Sequence, residues 1–183
     1  MEKYWISQGD ENYVLWMHEY SKHATCFSTF DTPCYGPLYI VHQDLIDFFE
    51  TVIMYFMRLP NWDWLADHDI TPSNSTTYSL SEIEDALTEE YGETPYIGCT
   101  GTKYNETAAG ANSTDDGYTQ LSEVWYYFHV KGRPQGGNWD PTGQTGSSSC
   151  AKAKGAIHYF ERAPGSVGEE PSSYQNATKR TLM

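Results

Sequence analysis

Basic side chains are scarce in this sequence. It has 11 Lys and Arg residues against 25 Asp and Glu, which gives a net charge of -14 over 183 residues. So acidic a chain repels other polyanions, and its overall charge therefore disfavours nonspecific binding to nucleic acid. Any groove that binds RNA would have to be basic locally, against the charge of the rest of the molecule.

The sequence also lacks a hydrophobic run of the kind that crosses a membrane. Residues 38–59 are rich in apolar side chains, but Asp44, Asp47 and Glu50 interrupt them, so we predict a core helix here. No apolar run follows Met1, as it would in a signal peptide. Internal repeats, a phosphate-binding glycine loop and a Ser-His-Asp signature are absent as well.

Cysteine is limited to four residues, which allow three pairings. Four free thiols in a reducing compartment are the alternative. Four Asn-x-Ser/Thr triplets favour an oxidising, secretory route, although such triplets also arise by chance. Their acceptor residues, the candidate glycosylation sites, are Asn74, Asn105, Asn112 and Asn176.

The densest group of chemically versatile side chains lies near the start of the chain. His18, Glu19, Lys22 and His23 lie within six consecutive positions, and on a helix they share one broad face. Such a face offers a base, an acid and a cation to one substrate group, which suits phosphoryl transfer. These four residues are our candidate catalytic residues.

Two other interpretations of the cluster remain open. A zinc site of the His-Glu-x-x-His type needs histidines one turn apart, whereas His18 and His23 are five residues apart and diverge by about 140° on a helix. We therefore predict no metal and no cofactor. The second alternative is a solvated helix face with a Glu19–Lys22 pair and two incidental histidines.

The segment His-Glu-Tyr-Ser-Lys-His-Ala-Thr-Cys, residues 18–26, resembles the second active-site segment of the ribonuclease T2 family. That segment usually reads His-Glu-Trp/Tyr-x-Lys-His-Gly-Thr-Cys. Further segments, up to about Phe160, are similar to fungal members of the family. They are Pro33–Tyr35, Asp69–Ser73, Tyr78–Leu80, Ile83–Leu87, Pro95–Cys99 and Leu121–Val130.

The resemblance implies an α+β fold in which helices pack on an antiparallel β-sheet. It implies an endoribonuclease that cleaves single-stranded RNA, not DNA, through attack of the ribose 2′-OH, without a cofactor. His23 would be the general base, Lys22 and Glu19 would stabilise the pentacoordinate phosphate, and His18 would bind phosphate. We expect a monomer, secreted or vacuolar, with a partial domain at residues 1–162 and a flexible tail at residues 163–183.

The resemblance also implies a Cys99–Cys150 disulfide, whereas the partners of Cys26 and Cys34 would lie in an upstream region. The family's first active-site segment, of the type His-Gly-Leu-Trp-Pro, does not occur in this sequence. We therefore expect the N-terminal part of the domain to be missing and the activity to be impaired. The rival function is an inactive truncated protein or pseudoenzyme, a secreted glycoprotein without catalysis.

Two single positions depart from the family pattern. Ala24 replaces the usual glycine, and its β-carbon would crowd a tight backbone approach. Leu15 stands where the family often has a phenylalanine, so base stacking at that subsite should be weaker.

The elements expected from patterning are four helices and three strands. We predict helices over residues 10–25 (with Asp10 as cap), within 38–59, over 61–67, and from a capping box at Ser81–Glu84 to about Tyr91. We predict strands over residues 95–100, 124–130 and 156–160, and loops over 101–120 and 132–155.

Overall fold

The computed structural model describes residues 1–3, 5–7, 11–101 and 119–162. The predicted helix cap Asp10, three of the four glycosylation candidates (Asn105, Asn112 and Asn176) and the predicted tail at 163–183 lie outside the described residues. The fold is α+β, as expected. The chain forms two compact units, one containing Met1–Tyr55 and the other Phe56–Glu161.

Helices dominate the first unit. They are α1 (Asn12–His23), α2 (Thr32–Tyr35) and α3 (Gln43–Phe56), whose last residue belongs to the second unit. Short 3-10 turns at Ala24–Cys26, Ser28–Phe30 and Gly36–Leu38 connect them. Ala24, Phe30 and Phe48 form a small buried core, against which aromatic and aliphatic side chains pack, namely Trp5, Tyr20, Phe49 and Val52.

The second unit combines two helices with two sheets. Helix α4 spans Asn61–Asp67 and helix α5 spans Leu80–Tyr91. The strands are β1 (Thr77–Tyr78), β2 (Tyr96–Thr100), β3 (Thr119–Trp125), β4 (Tyr127–Val130), β5 (Trp139–Thr142) and β6 (Ile157–His158). The core of this unit includes Ile83, Leu87, Ile97 and Ile157, each fully buried.

The larger sheet is mixed, and not purely antiparallel as expected. Its strand order is β1-β6-β3-β2, and β6 pairs antiparallel with β1 but parallel with β3. Because β1 and β3 run in opposite directions on either side of β6, β6 is antiparallel to one of them and parallel to the other. Strands β4 and β5 form a separate antiparallel hairpin.

Several predicted boundaries differ from the structure. The predicted strand 124–130 is two strands in different sheets, because Tyr126 leaves the ladder to pack its ring against Tyr91, with centroids 4.6 Å apart. The predicted loops contain Thr119 and Gln120 of β3 and the whole of β5. Predicted helix α4 is confirmed, whereas α1 ends at His23 and α3 begins only at Gln43.

The capping box of helix α5 begins two residues before the predicted one. Ser79 is its N-cap, and the Ser79 N–H donates to Glu82 Oε2 at 2.7 Å. The sequence Ser79-Leu80-Ser81-Glu82-Ile83-Glu84 contains two overlapping Ser-x-x-Glu patterns, so patterning alone does not distinguish them. The structure selects the first, which places Leu80 against the core.

A disulfide joins Cys99 on β2 to Cys150, as the resemblance implies, with the two Cα atoms 4.8 Å apart. It ties the long connection after β5 to the sheet, where the Cys99 N–H also donates to Ser149 Oγ at 2.8 Å. Cys26 and Cys34 are free and exposed. No helix within the described residues has the length and apolar character needed to cross a bilayer.

Replacing both Cys99 and Cys150 by serine should lower the free energy of unfolding by about 4 kcal/mol, because the bond closes a loop of 51 residues. Urea denaturation followed by circular dichroism measures the change. The matched control replaces Cys26 and Cys34 by serine and should shift the free energy by less than about 0.5 kcal/mol. Equal losses in both double variants would contradict a structural role for the disulfide.

Candidate active site

All four candidate residues lie on helix α1 or at its last turn. The helix has no fully buried residue, and its N-cap residue Glu11 makes no side-chain capping bond. Its position therefore depends on a few half-buried side chains. Trp16 Nε1 donates to the carbonyl of Trp5 at 2.8 Å, and Tyr20 contacts Phe48 edge-on, with ring centroids 5.6 Å apart.

Glu19 and His23 are the two candidates that the structure brings into contact. His23 Nε2 lies 3.6 Å from Glu19 Oε2, across one helical turn, with the His23 side chain 60% exposed and that of Glu19 25% exposed. A carboxylate at this distance can orient an imidazole and stabilise its protonated form. The pair is therefore suited to accept a proton from a bound substrate.

His18 and Lys22 form a second pair one turn apart, and both side chains are exposed. Lys22 and His23 occupy the last turn of α1, where the helix dipole favours positive charge. The Lys22 carbonyl accepts a hydrogen bond from Thr25 Oγ1 at 3.2 Å, which stabilises the exit of the helix. The resulting surface presents two imidazoles and one ammonium to solvent within a strongly acidic chain.

Ala24, which replaces the usual glycine, has an ordinary helical backbone conformation. Its φ is -60° and its ψ is -35°, an ordinary right-handed helical conformation that any residue adopts. The Ala24 side chain is buried in the core with Phe30 and Phe48. The methyl group therefore contributes to the packing at the end of α1.

The carboxylate of Asp44, on α3, connects this helix to α1 through a hydrogen bond. Asp44 Oδ2 accepts a hydrogen bond from the Tyr20 hydroxyl, and Asp44 Oδ1 accepts one from the Tyr39 hydroxyl at 2.8 Å. Tyr39 in turn accepts from the His42 N–H at 3.2 Å. Tyr20 follows Glu19 directly, so this network sets the rotation of the helix that presents Glu19 and His23.

The network changes the titration of its members. Burial opposes ionisation of Asp44, but hydrogen bonds from Tyr20, Tyr39 and backbone N–H groups outweigh it and hold the Asp44 pKa below its ordinary value of 3.8. Burial and its hydrogen bond to Asp44 raise the pKa of Tyr20, and the separate hydrogen bond from Tyr39 to Asp44 raises the pKa of Tyr39. Asp44 is therefore a stable anion at the base of α1.

Sequence reasoning missed this network. In the sequence, Asp44 indicates only a charge that interrupts an apolar helix, and Tyr20 only fills the Trp/Tyr position of the motif. The single available signal is the acidic residue in the first turn of α3, which is typical of a residue that interacts with a helix N-terminus. That signal does not indicate which hydroxyls the carboxylate accepts.

The remaining histidines have other surroundings. His42 precedes α3 with a φ of 69°, and His129 is exposed on β4 opposite Asp140. His68 caps the end of α4 beside Glu90, 3.5 Å away, and His158 stacks on Phe160. Within the described ranges, no group of three or more His, Cys, Asp and Glu residues is arranged to hold a metal ion.

Comparisons with known proteins identify a family to which this chain is similar. The model of the ribonuclease T2 family matches residues 1–136. Ribonuclease M of Aspergillus phoenicis is 37% identical over 153 residues, which are 82% of this chain and 57% of that protein. Ribonuclease Trv of Hypocrea rufa is 36% identical over 149 residues, which are 81% of this chain and 56% of that protein.

Solved structures agree. Actibind, a T2 ribonuclease, superposes with a TM-score of 0.67 at 35% identity, covering 82% of this chain and 56% of that chain. RNase NT, solved with 5′-AMP, superposes with a TM-score of 0.53 at 19% identity, which supports the fold alone. This chain thus spans little more than half the length of these relatives.

The Asp44 network makes stability depend on pH. Because the Asp44 pKa is lower in the folded state, its contribution is present above about pH 4 and is lost as the pH falls through the folded-state value. Asp44→Asn should therefore reduce the free energy of unfolding at pH 6 by about 1.5 kcal/mol, and by less at pH 3. Urea titrations at both pH values measure the difference.

Asp47→Asn, on the same helix, is the matched control and should change stability by less than about 0.5 kcal/mol at either pH. Tyr20→Phe removes one of the two hydroxyl donors to Asp44 and should reproduce part of the loss. A deficit of equal size at pH 3 and pH 6 would show that the Asp44 charge does not contribute.

Proposed function

Because the chain belongs to the ribonuclease T2 family, we propose that it carries the base and phosphate-binding part of a site that cleaves single-stranded RNA. The observation that carries the proposal is the contact between Glu19 and His23, 3.6 Å apart on the exposed last turn of α1. Lys22 and His18 lie on the same solvent-facing part of the helix.

In the proposed reaction, His23 takes the proton of the ribose 2′-OH as the 2′-oxygen attacks the adjacent phosphorus. A bond forms between phosphorus and the 2′-oxygen, and the bond to the 5′-oxygen breaks. The products are a 2′,3′-cyclic phosphate and a free 5′-OH. Imidazole suits this step because it exchanges a proton near neutral pH.

The neighbouring side chains have complementary proposed roles. Glu19 holds the His23 imidazole and stabilises the charge it gains. Lys22, an exposed ammonium, stabilises the pentacoordinate phosphate together with Glu19, and His18 binds a phosphate oxygen. Asp44, through Tyr20, keeps the helix in the rotation that these contacts need.

The leaving 5′-oxygen must receive a proton, and the resemblance assigns this step to a histidine of the His-Gly-Leu-Trp-Pro segment. That segment does not occur among the 183 residues. The proposed mechanism needs no metal or cofactor, because the 2′-OH is already tethered beside the phosphorus that it attacks. The residues of this chain thus supply one side of an acid–base pair.

Compartment and partners follow from the same proposal. The net charge of -14 repels RNA near neutral pH. RNA binding should improve at mildly acidic pH, because histidines gain positive charge and some carboxylates lose negative charge there. Asn74, an exposed sequon residue whose Nδ2 donates to Glu161 at 3.0 Å, is accessible for glycosylation. We propose a secreted or vacuolar monomer that acts on RNA and not on DNA.

Loss of the base should be the most damaging single change. His23→Ala is expected to reduce cleavage of a fluorogenic single-stranded RNA by about 10²–10⁴-fold, because a positioned base typically contributes that much. His129→Ala is the matched control, since His129 is exposed on a strand and has no proposed role. Equal losses in the two variants would show that the chemistry lies elsewhere.

The chain by itself should be a weak enzyme. We expect its turnover between pH 4 and pH 7 to be lower than that of Ribonuclease M by about 10²-fold or more, because the general acid is not among its residues. The assay measures 2′,3′-cyclic phosphate ends. Turnover equal to that of Ribonuclease M would contradict this prediction. If the chain neither cleaves nor binds RNA, the inactive secreted glycoprotein is the better interpretation.

A further inference from the structure

Strands β2 and β3 of the second unit carry an aromatic pair on the face that points away from the core. The two strands are antiparallel, with Tyr96 directly opposite Trp125. The adjacent residues Ile97 and Val124 pack in the core on the other face. Because successive side chains of a strand alternate, Tyr96 and Trp125 lie on the outer face. Their ring centroids are 5.4 Å apart, and Trp125 is 52% exposed.

The Trp125 ring is held in place although it is exposed. Its Nε1 donates to Glu123 Oε2 at 2.9 Å, and the Tyr96 ring contacts it at an interplanar angle of 53°. Exposed side chains ordinarily change rotamer within nanoseconds, and two separate contacts on one ring restrict that motion. A ligand that binds to a ring already held in place loses less conformational entropy on binding.

Gly98 provides the space in which the Glu123 side chain lies. The two residues are directly opposite each other in the ladder. A β-carbon at Gly98 would be 2.6 Å from Glu123 Oε1 and closer still to Glu123 Cγ, so any larger residue would displace this side chain. Gly98 is buried although it faces outward, since the Glu123 side chain lies across it.

The Glu123 carboxylate has no cationic partner among the described residues. The ion pairs found there involve other carboxylates, namely Glu19, Glu89, Glu90 and Asp140. The Trp125 indole occupies only one acceptor position of the Glu123 carboxylate, which leaves others for a ligand. A negative charge and an aromatic ring thus lie side by side on the surface of a chain whose net charge is -14.

This combination favours a planar cation as the ligand. The face of an indole ring attracts cations, and a carboxylate adds charge-assisted hydrogen bonds. The guanidinium group of arginine can stack on an aromatic face and donate to a carboxylate at the same time, whereas the lysine ammonium is a compact, strongly hydrated point charge. A nucleotide could stack on the same ring, but Glu123 and the net charge would repel its phosphate.

We propose that Trp125, Tyr96 and Glu123 form a binding site for an arginine side chain of a basic partner protein. The guanidinium plane stacks on the Trp125 ring, and its N–H groups donate to the Glu123 carboxylate. Tyr96 supports the Trp125 ring, and Gly98 permits the position of Glu123. The site uses none of the residues of the proposed cleavage reaction, so the two proposals are tested separately.

The test titrates the ¹⁵N-labelled full chain with the peptide acetyl-Gly-Arg-Gly-Arg-Gly-amide and follows backbone amide signals by NMR. The titration is done at about 150 mM NaCl, where attraction by distant charges is screened. We expect saturable shifts of the amides of β2 and β3. The same peptide with lysine in place of arginine should bind more weakly by about threefold or more.

Trp125→Leu and Glu123→Gln should each weaken binding of the arginine peptide by about threefold to tenfold, because each removes one attractive group. Gly98→Ala should weaken it as well, since it displaces the Glu123 side chain while both groups remain. Trp62→Leu is the control for the ring, because Trp62 is 59% exposed in the same unit. Glu89→Gln is the control for the charge, at a side chain that is 75% exposed. Both controls should bind within about twofold of the unsubstituted chain.

Several results would overturn the proposal. They are the absence of shifts at β2 and β3, equal affinity for the arginine and lysine peptides, and equal weakening by Glu89→Gln and Glu123→Gln. Either equality would indicate attraction by net charge alone. Titrations with laminarihexaose and with 5′-AMP test a neutral sugar and a nucleotide, and tighter binding of either one would also overturn it. Circular dichroism checks that each variant is folded, and Gly98→Ala tests the site even if Trp125→Leu disturbs the sheet.

Discussion

The hydrogen bonds from Tyr20 and Tyr39 to Asp44 are the interaction on which the candidate site depends. Helix α1 buries none of its residues completely, so a broad apolar seam does not hold it. A charged acceptor between two hydroxyls is directional, whereas apolar contacts tolerate rotation. Asp44 therefore determines which side of α1 faces outward, and with it the positions of Glu19 and His23.

The same arrangement makes an acidic chain compatible with the proposed RNA substrate. The hydroxyls of Tyr20 and Tyr39 donate hydrogen bonds that stabilise the Asp44 charge. Lys22 and His23 lie in the last turn of α1, where the helix dipole favours cations. The local field at the end of α1 can thus be positive although the chain carries a net charge of -14. Net charge governs nonspecific attraction, whereas a cluster this small acts over a few ångströms, within the screening length of physiological salt.

Sequence patterning predicted the features whose cause is local. The spacing of His18 to His23 indicated one helix, and the apolar periodicity of residues 38–59 indicated another, because both depend on neighbours three or four positions away. It failed where distant segments decide. The break at Tyr126 depends on the ring of Tyr91, and the insertion of β6 beside β3 depends on contacts between residues almost forty positions apart. The hydrogen-bond partners of Asp44 are likewise decided by tertiary contacts and not by local spacing.

The exposed apolar residues of α3 show a second limit of sequence patterning, which concerns burial. Phe48 and Ile46 are both apolar and lie two positions apart within the same predicted core helix, yet one is buried and the other is half exposed. Periodicity reports what a helix is able to bury and cannot report what is present to cover it. The same limit applies to the candidate residues of α1. In the proposed reaction, Glu19 and His23 supply the base from one helix, and the proton that leaves with the 5′-oxygen has to come from a group placed opposite them. One helix cannot present side chains to both sides of a phosphate, so the proposed reaction needs a proton donor on a second surface.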